Sequence, residues 1–208
     1  IPVLDDAHGL LSDCTFVGYP GNVTFFTQQG NLHGFEALHK APGVFVIPNP
    51  WDPGSARILA GLGFKALTTT SAGYARSIGF PDYNAGRENV MAHIRAMAPA
   101  IDIPLAADLE DGFGPQPEDC AETIRQGAEA GLVGGSIEDF TGDRSNPIHD
   151  LGKAADRIRA AAEAAKKLPF KFMLCARAEN YLNGRQDLAD TIKRLQAQWK
   201  TMGPVTRG

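Results

Sequence analysis

Leu105-Ala106-Ala107-Asp108-Leu109-Glu110-Asp111-Gly112-Phe113-Gly114, set between Pro104 and Pro115, is the stretch on which the reading of the chain turns. Small and apolar residues lead in, as in a buried strand. Three acids in four positions and a Gly-x-Gly turn follow. Alternate residues of a strand share a face, so Asp108 and Glu110 are expected to point one way and Leu109 the other. Two carboxylates at the end of a buried strand repel each other and lose hydration. A hard cation such as Mg2+ would relieve both costs. A polar strand end opening into a solvated turn explains the stretch equally well. The helix-loop-helix calcium pattern does not fit, because Gly112 falls at the wrong offset and no Glu closes the loop.

Outward from this stretch a rhythm appears. Val44–Ile47, Ala66–Thr69, Leu105–Asp108, Gly135–Glu138 and Phe172–Ala176 read as buried strands. Helices are expected between and after them. The first is capped by Asp52 with Pro53 in its first turn and stops at Gly63; the others are Arg87–Ala98, Pro117 to Gly131 and Asp150–Lys167. A fifth carries the stripe Leu188, Ile192, Leu195 and Trp199. Strictly alternating units of this kind imply a parallel α/β sheet, either a (β/α)8 barrel or a doubly wound sheet. No Gly-x-Gly-x-x-Gly follows the first strand, which weakens the dinucleotide-binding form. A full barrel needs about 250 residues, so five units make an incomplete one. Residues 1–30 differ in character and are expected to form an N-terminal extension. In it, Cys14–Val17 and Val23–Thr27 would pair as a hairpin about Tyr19-Pro20-Gly21-Asn22. Asn31–Lys40 reads as a short helix, residues 31–200 as the partial barrel and 201–208 as a tail.

The chain's 208 residues allow one sizeable core, and its 43% hydrophobic content is that of an ordinary globular protein. A net charge of -4 without a basic run argues against a nucleic-acid surface. Cys14, Cys120 and Cys175 are odd in number and far apart, which suits reduced thiols in the cytoplasm. No stretch approaches the ~20 apolar residues of a membrane span, and no signal pattern opens the chain. The start at Ile1 suggests a fragment or a trimmed product. The sequon Asn22-Val23-Thr24 is read as chance.

Groups capable of chemistry stand at several strand ends. Thr70-Ser71-Ala72-Gly73 follows the second strand, and its small residues leave backbone N–H groups open to an anion, unless it is a plain loop. Asp82 lies in the next loop and by itself reads as a turn residue. Glu138 shares a strand face with Ser136, so it would point inward beside Asp108 and Glu110. Arg177 shares a face with Cys175, which reads as packing. A guanidinium there suits a substrate carboxylate, or an ion pair with Glu138 or Asp108. His39 and His93 read as ordinary helix residues.

Together these motifs resemble the isocitrate lyase / phosphoenolpyruvate mutase superfamily over about residues 31–197. The likeness rests on Asn49-Pro50-Trp51-Asp52-Pro53-Gly54-Ser55-Ala56, Thr69-Thr70-Ser71-Ala72-Gly73, Asp108 to Gly114, Gly134-Gly135-Ser136-Ile137-Glu138-Asp139 and Ala176-Arg177-Ala178-Glu179-Asn180. The resemblance implies a Mg2+-dependent barrel enzyme, with Mn2+ as the other usable cation, acting on a small 2-oxo or 2-hydroxy acid. It implies Asp108 as the direct metal ligand, with Glu110 and Glu138 holding the metal directly or through water. Ser71, Ala72 and Gly73 would bind substrate, and Asp82 and Arg177 would act at the reacting centre. A homo-oligomer is expected of a full-length form.

The sequence departs from the family in two places. Phe140-Thr141-Gly142-Asp143-Arg144-Ser145-Asn146-Pro147 lacks the Lys-(Lys/Arg)-Cys-Gly-His element of isocitrate and methylisocitrate lyases. It does not match the Lys-x-Asn-Ser element of the phosphonate mutases either. The likeness also fades after Gln196-Ala197, as in a truncated or frame-altered product. Three readings follow: carbon–carbon cleavage through a metal-stabilised enolate, phosphonate P–C chemistry, or an inactive, incomplete barrel.

Overall fold

The structure, a computed structural model, describes residues 34–202. The expected hairpin and the residues beyond 202 lie outside the described residues. Residues 34–40 are helical (α1). The elements that follow are α2 (Pro53–Gly61), β1 (Leu67–Thr68), α3 (Ser71–Ser77) and α4 (Arg87–Met97), the last extended by a 3-10 turn over Ala98–Ala100. Then come β2 (Leu105–Asp108), α5 (Pro117–Ala130), β3 (Gly134–Glu138), α6 (Leu151–Lys166), β4 (Met173–Arg177) and α7 (Leu188–Met202).

The four strands are parallel and lie in sequence order β1-β2-β3-β4. A doubly wound sheet reverses its strand order at a switch point, whereas a barrel adds each strand beside the last. The described sheet is therefore an arc of a (β/α)8 barrel. The register sets Asp108 beside Ser136 and Glu138 beside Arg177, so the acids leave the sheet along one carboxyl-end rim.

Local chemistry fixes the helices that carry this arc. Asp52 Oδ1 accepts from the Ser55 N–H at 2.6 Å and Pro53 opens α2. Asp150 Oδ1 accepts from the Lys153 N–H at 2.9 Å at the head of α6. Gly131, at φ 115, takes the left-handed conformation that closes α5. The core lies between sheet and helices, where Leu105, Ala107, Leu109 and Ile137 meet Ile94, Ile124, Ile158 and Ala162. Among the described residues, no helix is long and apolar enough to cross a membrane.

Three expectations are corrected. Val44–Ile47 is not a strand, and Val44 and Val46 are exposed. Pro42, Pro48 and Pro50 flank that run and cannot donate to a ladder. Among the described residues, β1 meets the segment just after this run: the Thr68 N–H donates to Pro48 O, and the Asn49 side chain takes the Thr68 carbonyl that a strand N–H would have taken. The described residues thus hold four strands, not five. The loop after β1 contains the helix α3. The stripe Leu188, Ile192, Leu195 and Trp199 faces outward, and α7 buries Arg194 and Gln198 instead.

Candidate active site

The site is built where β2 ends. The Asp108 N–H donates to Thr69 Oγ1 at 3.3 Å, which fixes the strand terminus. Asp108 Oδ2 accepts from Ser71 Oγ at 2.8 Å, and Oδ1 pairs with Arg177 Nη1 at 3.2 Å. The chain then leaves the strand. Glu110 sits in a tight turn at φ 51, closed by the Gly112 N–H on Leu109 O. It faces the same cluster as Asp108, but through turn geometry rather than strand alternation. Its backbone carbonyl accepts from the Glu138 N–H at 3.0 Å, which places the two acids side by side.

Glu110 is 2% exposed, and its Oε1 is buried with no partner. Burial, then the charge of Asp108, pushes its carboxyl up to about 8. Glu138 is equally buried and is also pushed up to about 8. Burial is the main cause; the Tyr83 hydroxyl bond and Arg177 act in the opposite sense. Glu138 Oε1 accepts from the Tyr83 hydroxyl, and Oε2 meets Arg177 Nη2 at 3.2 Å. Arg177 also pairs with Glu179 Oε1 at 2.7 Å. One guanidinium thus serves three carboxylates.

Asp82 Oδ1 lies 3.4 Å from Ser71 Oγ, so the Ser71 hydroxyl stands between Asp82 and Asp108. Ala72 follows in the first turn of α3. The Gly73 N–H is taken by Thr70 Oγ1 at 3.2 Å. A Cβ at Gly73 would lie 2.6 Å from Thr70 Cγ2, so glycine is required there for the cap. Ser71, Asp82, Asp108, Glu110, Glu138 and Arg177 are therefore brought into one cluster. Cys175, expected to pack, is exposed. His93 donates to Trp51 O at 2.9 Å and stacks on Tyr74, an ordinary structural role.

Sequence reasoning missed Tyr83, Glu179 and two clamping arginines. Arg87 Nη2 donates to the carbonyls of Gly112, Phe113 and Asp119 at 3.2 Å each. Arg157 is 1% exposed and donates to Gly114 O at 2.6 Å, and also to Asp111 O. Both hold the loop that carries Glu110. Arg157 lies on the same α6 face as Ala154, Ile158 and Ala161. An arginine at a core position signals a buried partner, and this signal was in the sequence. Glu138 and Asp139 divide their work. Asp139 turns away, accepting from the Glu179 N–H at 2.8 Å and pairing with Arg194 at 3.1 Å.

Among the described residues, no three His, Cys, Asp or Glu groups are gathered closely enough to enclose a metal ion. Mg2+ does not need such an enclosure, because it keeps several waters and takes one or two carboxylates. The donors here are hard oxygens, one buried carboxylate oxygen lacks any partner, and the acids outnumber the arginine. The residues fit a divalent cation on these grounds.

Residues 35–200 match the family model of phosphoenolpyruvate phosphomutase. A provisionally assigned lyase/mutase from Burkholderia cenocepacia J2315 has a crystal structure that superposes with a TM-score of 0.83 at 54% identity, over 84% of this chain and 63% of that one. The 2-methylisocitrate lyase of Escherichia coli (strain K12) is 31% identical over 143 residues, covering 65% of this chain and 47% of that protein. Oxaloacetate acetylhydrolase, solved with its product oxalate, superposes with a TM-score of 0.75 at 28% identity, over 85% of this chain and 61% of that one. The chain spans about half the length of the curated relatives it matches.

Proposed function

The chain belongs to the phosphoenolpyruvate phosphomutase family of the isocitrate lyase / phosphoenolpyruvate mutase superfamily, and from that premise we propose that it cleaves a carbon–carbon bond in a small 2-oxo or 2-hydroxy carboxylate with the help of Mg2+ or Mn2+. The observation that carries the reading is a rim of crowded carboxyls with little positive charge beside it: buried Glu110 and Glu138 next to Asp108, with Arg177 paired to Asp108 and Glu138. Asp108 would hold the cation directly, with Glu110 and Glu138 reaching it directly or through water. When bound, the cation supplies positive charge against the enolate that develops when a bond beside a carbonyl breaks.

The chain's own residues do the rest. Arg177 presents a planar donor fork to a substrate carboxylate. Ser71 Oγ and the Ala72 N–H add donors on the other side. Gly73 shapes that turn rather than lending its N–H. Asp82, which lies across Ser71, would hold or move a proton at the reacting centre. Relatives named for methylisocitrate cleavage and for oxaloacetate hydrolysis support a carboxylate substrate. The family's own description keeps P–C chemistry as the second reading. Against it, the loop after Asp139 does not cleanly match the Lys-x-Asn-Ser element of the phosphonate mutases. Free Cys120 and Cys175 suit a reducing compartment, which we take to be the cytoplasm.

The test is a panel of 2-oxo, 2-hydroxy and phosphono acids with Mg2+, followed by release of a 2-oxo acid. Turnover confined to the carboxylates is expected, and turnover confined to the phosphono acids would overturn the reading.

A further inference from the structure

Tyr83 belongs to none of the motifs above, yet it is the residue through which the Asp82 loop touches the acids. Neighbouring side chains of an extended chain point to opposite sides. Asp82 and Tyr83 nevertheless both face the cluster, one on Ser71 Oγ and the other on Glu138 Oε1. Tyr83 sits at φ 64, a conformation that bulky residues rarely hold. That left-handed residue turns the chain so that two consecutive side chains reach one site. Strain of this kind persists only where the surroundings enforce it. Here the enforcement is visible. The Tyr83 ring packs on buried Phe140 with centroids 4.6 Å apart, and its N–H donates to Asp82 Oδ1 at 3.2 Å. The phenol hydroxyl completes the set on Glu138.

We propose that Tyr83 is a positioning residue: its hydroxyl bond to Glu138 pins the loop of residues 78–86 so that Asp82 is held over Ser71 at the reacting centre. The inference rests on the proposed carboxylate chemistry for its kinetic consequence, but not for its structural one. Arg177 holds the other oxygen of Glu138, so the loop and the arginine are set against each other through a single carboxylate. Loss of the hydroxyl leaves the ring on Phe140 but frees the loop to move as a unit.

The experiment compares wild type with Tyr83→Phe, which removes only the hydroxyl, and with Tyr83→Asn, a residue that tolerates a left-handed backbone. Hydrogen exchange of residues 79–86 is read first, without cation or substrate. Both variants are expected to exchange about tenfold faster there, with the strand amides unchanged. On the substrate found by the acid panel, Tyr83→Phe is expected to lower kcat by about 10–100-fold and to move KM by less than about threefold. A role confined to fold stability would move neither kcat alone nor the loop alone. Loop exchange equal to wild type in both variants overturns the proposal, as does an unchanged kcat. The exchange arm decides even if no acid turns over, so a failure of the proposed chemistry stays distinct from a failure of this inference.

Discussion

Glu110 shows how one residue can be held against its own stability. A turn at φ 51 buries its carboxyl, one oxygen finds no partner, and burial together with Asp108 pushes it up to about 8. An ordinary Glu ionises near 4.5. Between those values the folded chain binds a proton that the unfolded chain has released, so stability falls as pH rises. The contribution is complete below pH 4.5 and is lost by about pH 8, with a slope of at most about 1.4 kcal/mol per pH unit for each such group. Glu110→Gln mimics the neutral form. It is expected to raise stability at pH 8 in the absence of cation, measured by urea unfolding, and to weaken Mn2+ binding by about tenfold or more. A variant less stable than wild type at pH 8 would sink this account of Glu110. The sequence placed Asp108 and Glu138 at one rim because strand ends are local signals, whereas Glu110 reaches it through a left-handed turn that the expected strand alternation did not foresee. Tyr83 and Glu179 were not found, because a left-handed turn and an Arg-x-Glu pairing leave no periodic trace.

Among the elements, the loop of residues 111–116 depends on two arginines from different helices. Arg157 closes on its carbonyls from a fully buried position, so removing the fork strands several acceptors at once. Arg157→Lys offers a single ammonium in place of the fork, and is expected to cost about 2–4 kcal/mol in urea unfolding. A cost below about 0.5 kcal/mol, the level of a neutral surface substitution, would contradict the clamp. His149, just before α6, has a buried Nε2 without a partner. Burial, then Arg157 and Lys153, lowers its pKa from 6.5 to about 4. The neutral ring is therefore favoured in the fold. Its contribution is complete above pH 6.5 and is lost as pH falls towards 4, about 2 kcal/mol by pH 5. His149→Phe is expected to gain about 2 kcal/mol relative to wild type on going from pH 7 to pH 5, and a stability relative to wild type that does not change between the two would contradict the assignment. Helices α2, α5 and α6 were legible from caps, prolines and glycines. Val44–Ile47 misled because apolar runs read as strands whatever their prolines do to the ladder. The α7 stripe misled because periodicity finds an apolar face without saying what covers it. Arg194, tied to Asp139 and to His149 O, decides which side of that helix turns inward.

For the molecule as a whole, the parallel arc matters because it delivers chemistry from three neighbouring strands to one edge. Asp108, Glu138 and Arg177 arrive from β2, β3 and β4, and the loops after β1 and β2 add Ser71, Asp82 and Glu110. Net charge of -4 is modest, so the concentration of acids at this rim is local rather than a property of the surface. Its physical meaning is a demand for positive charge that Arg177 alone does not meet. Calorimetric titration of Mg2+ and Mn2+ into the chain at pH 8, beside Asp108→Ala, tests that demand most directly. The account predicts saturable binding of one cation by wild type and none by the variant. Wild type that takes up no cation, or a variant that binds as tightly as wild type, would contradict it.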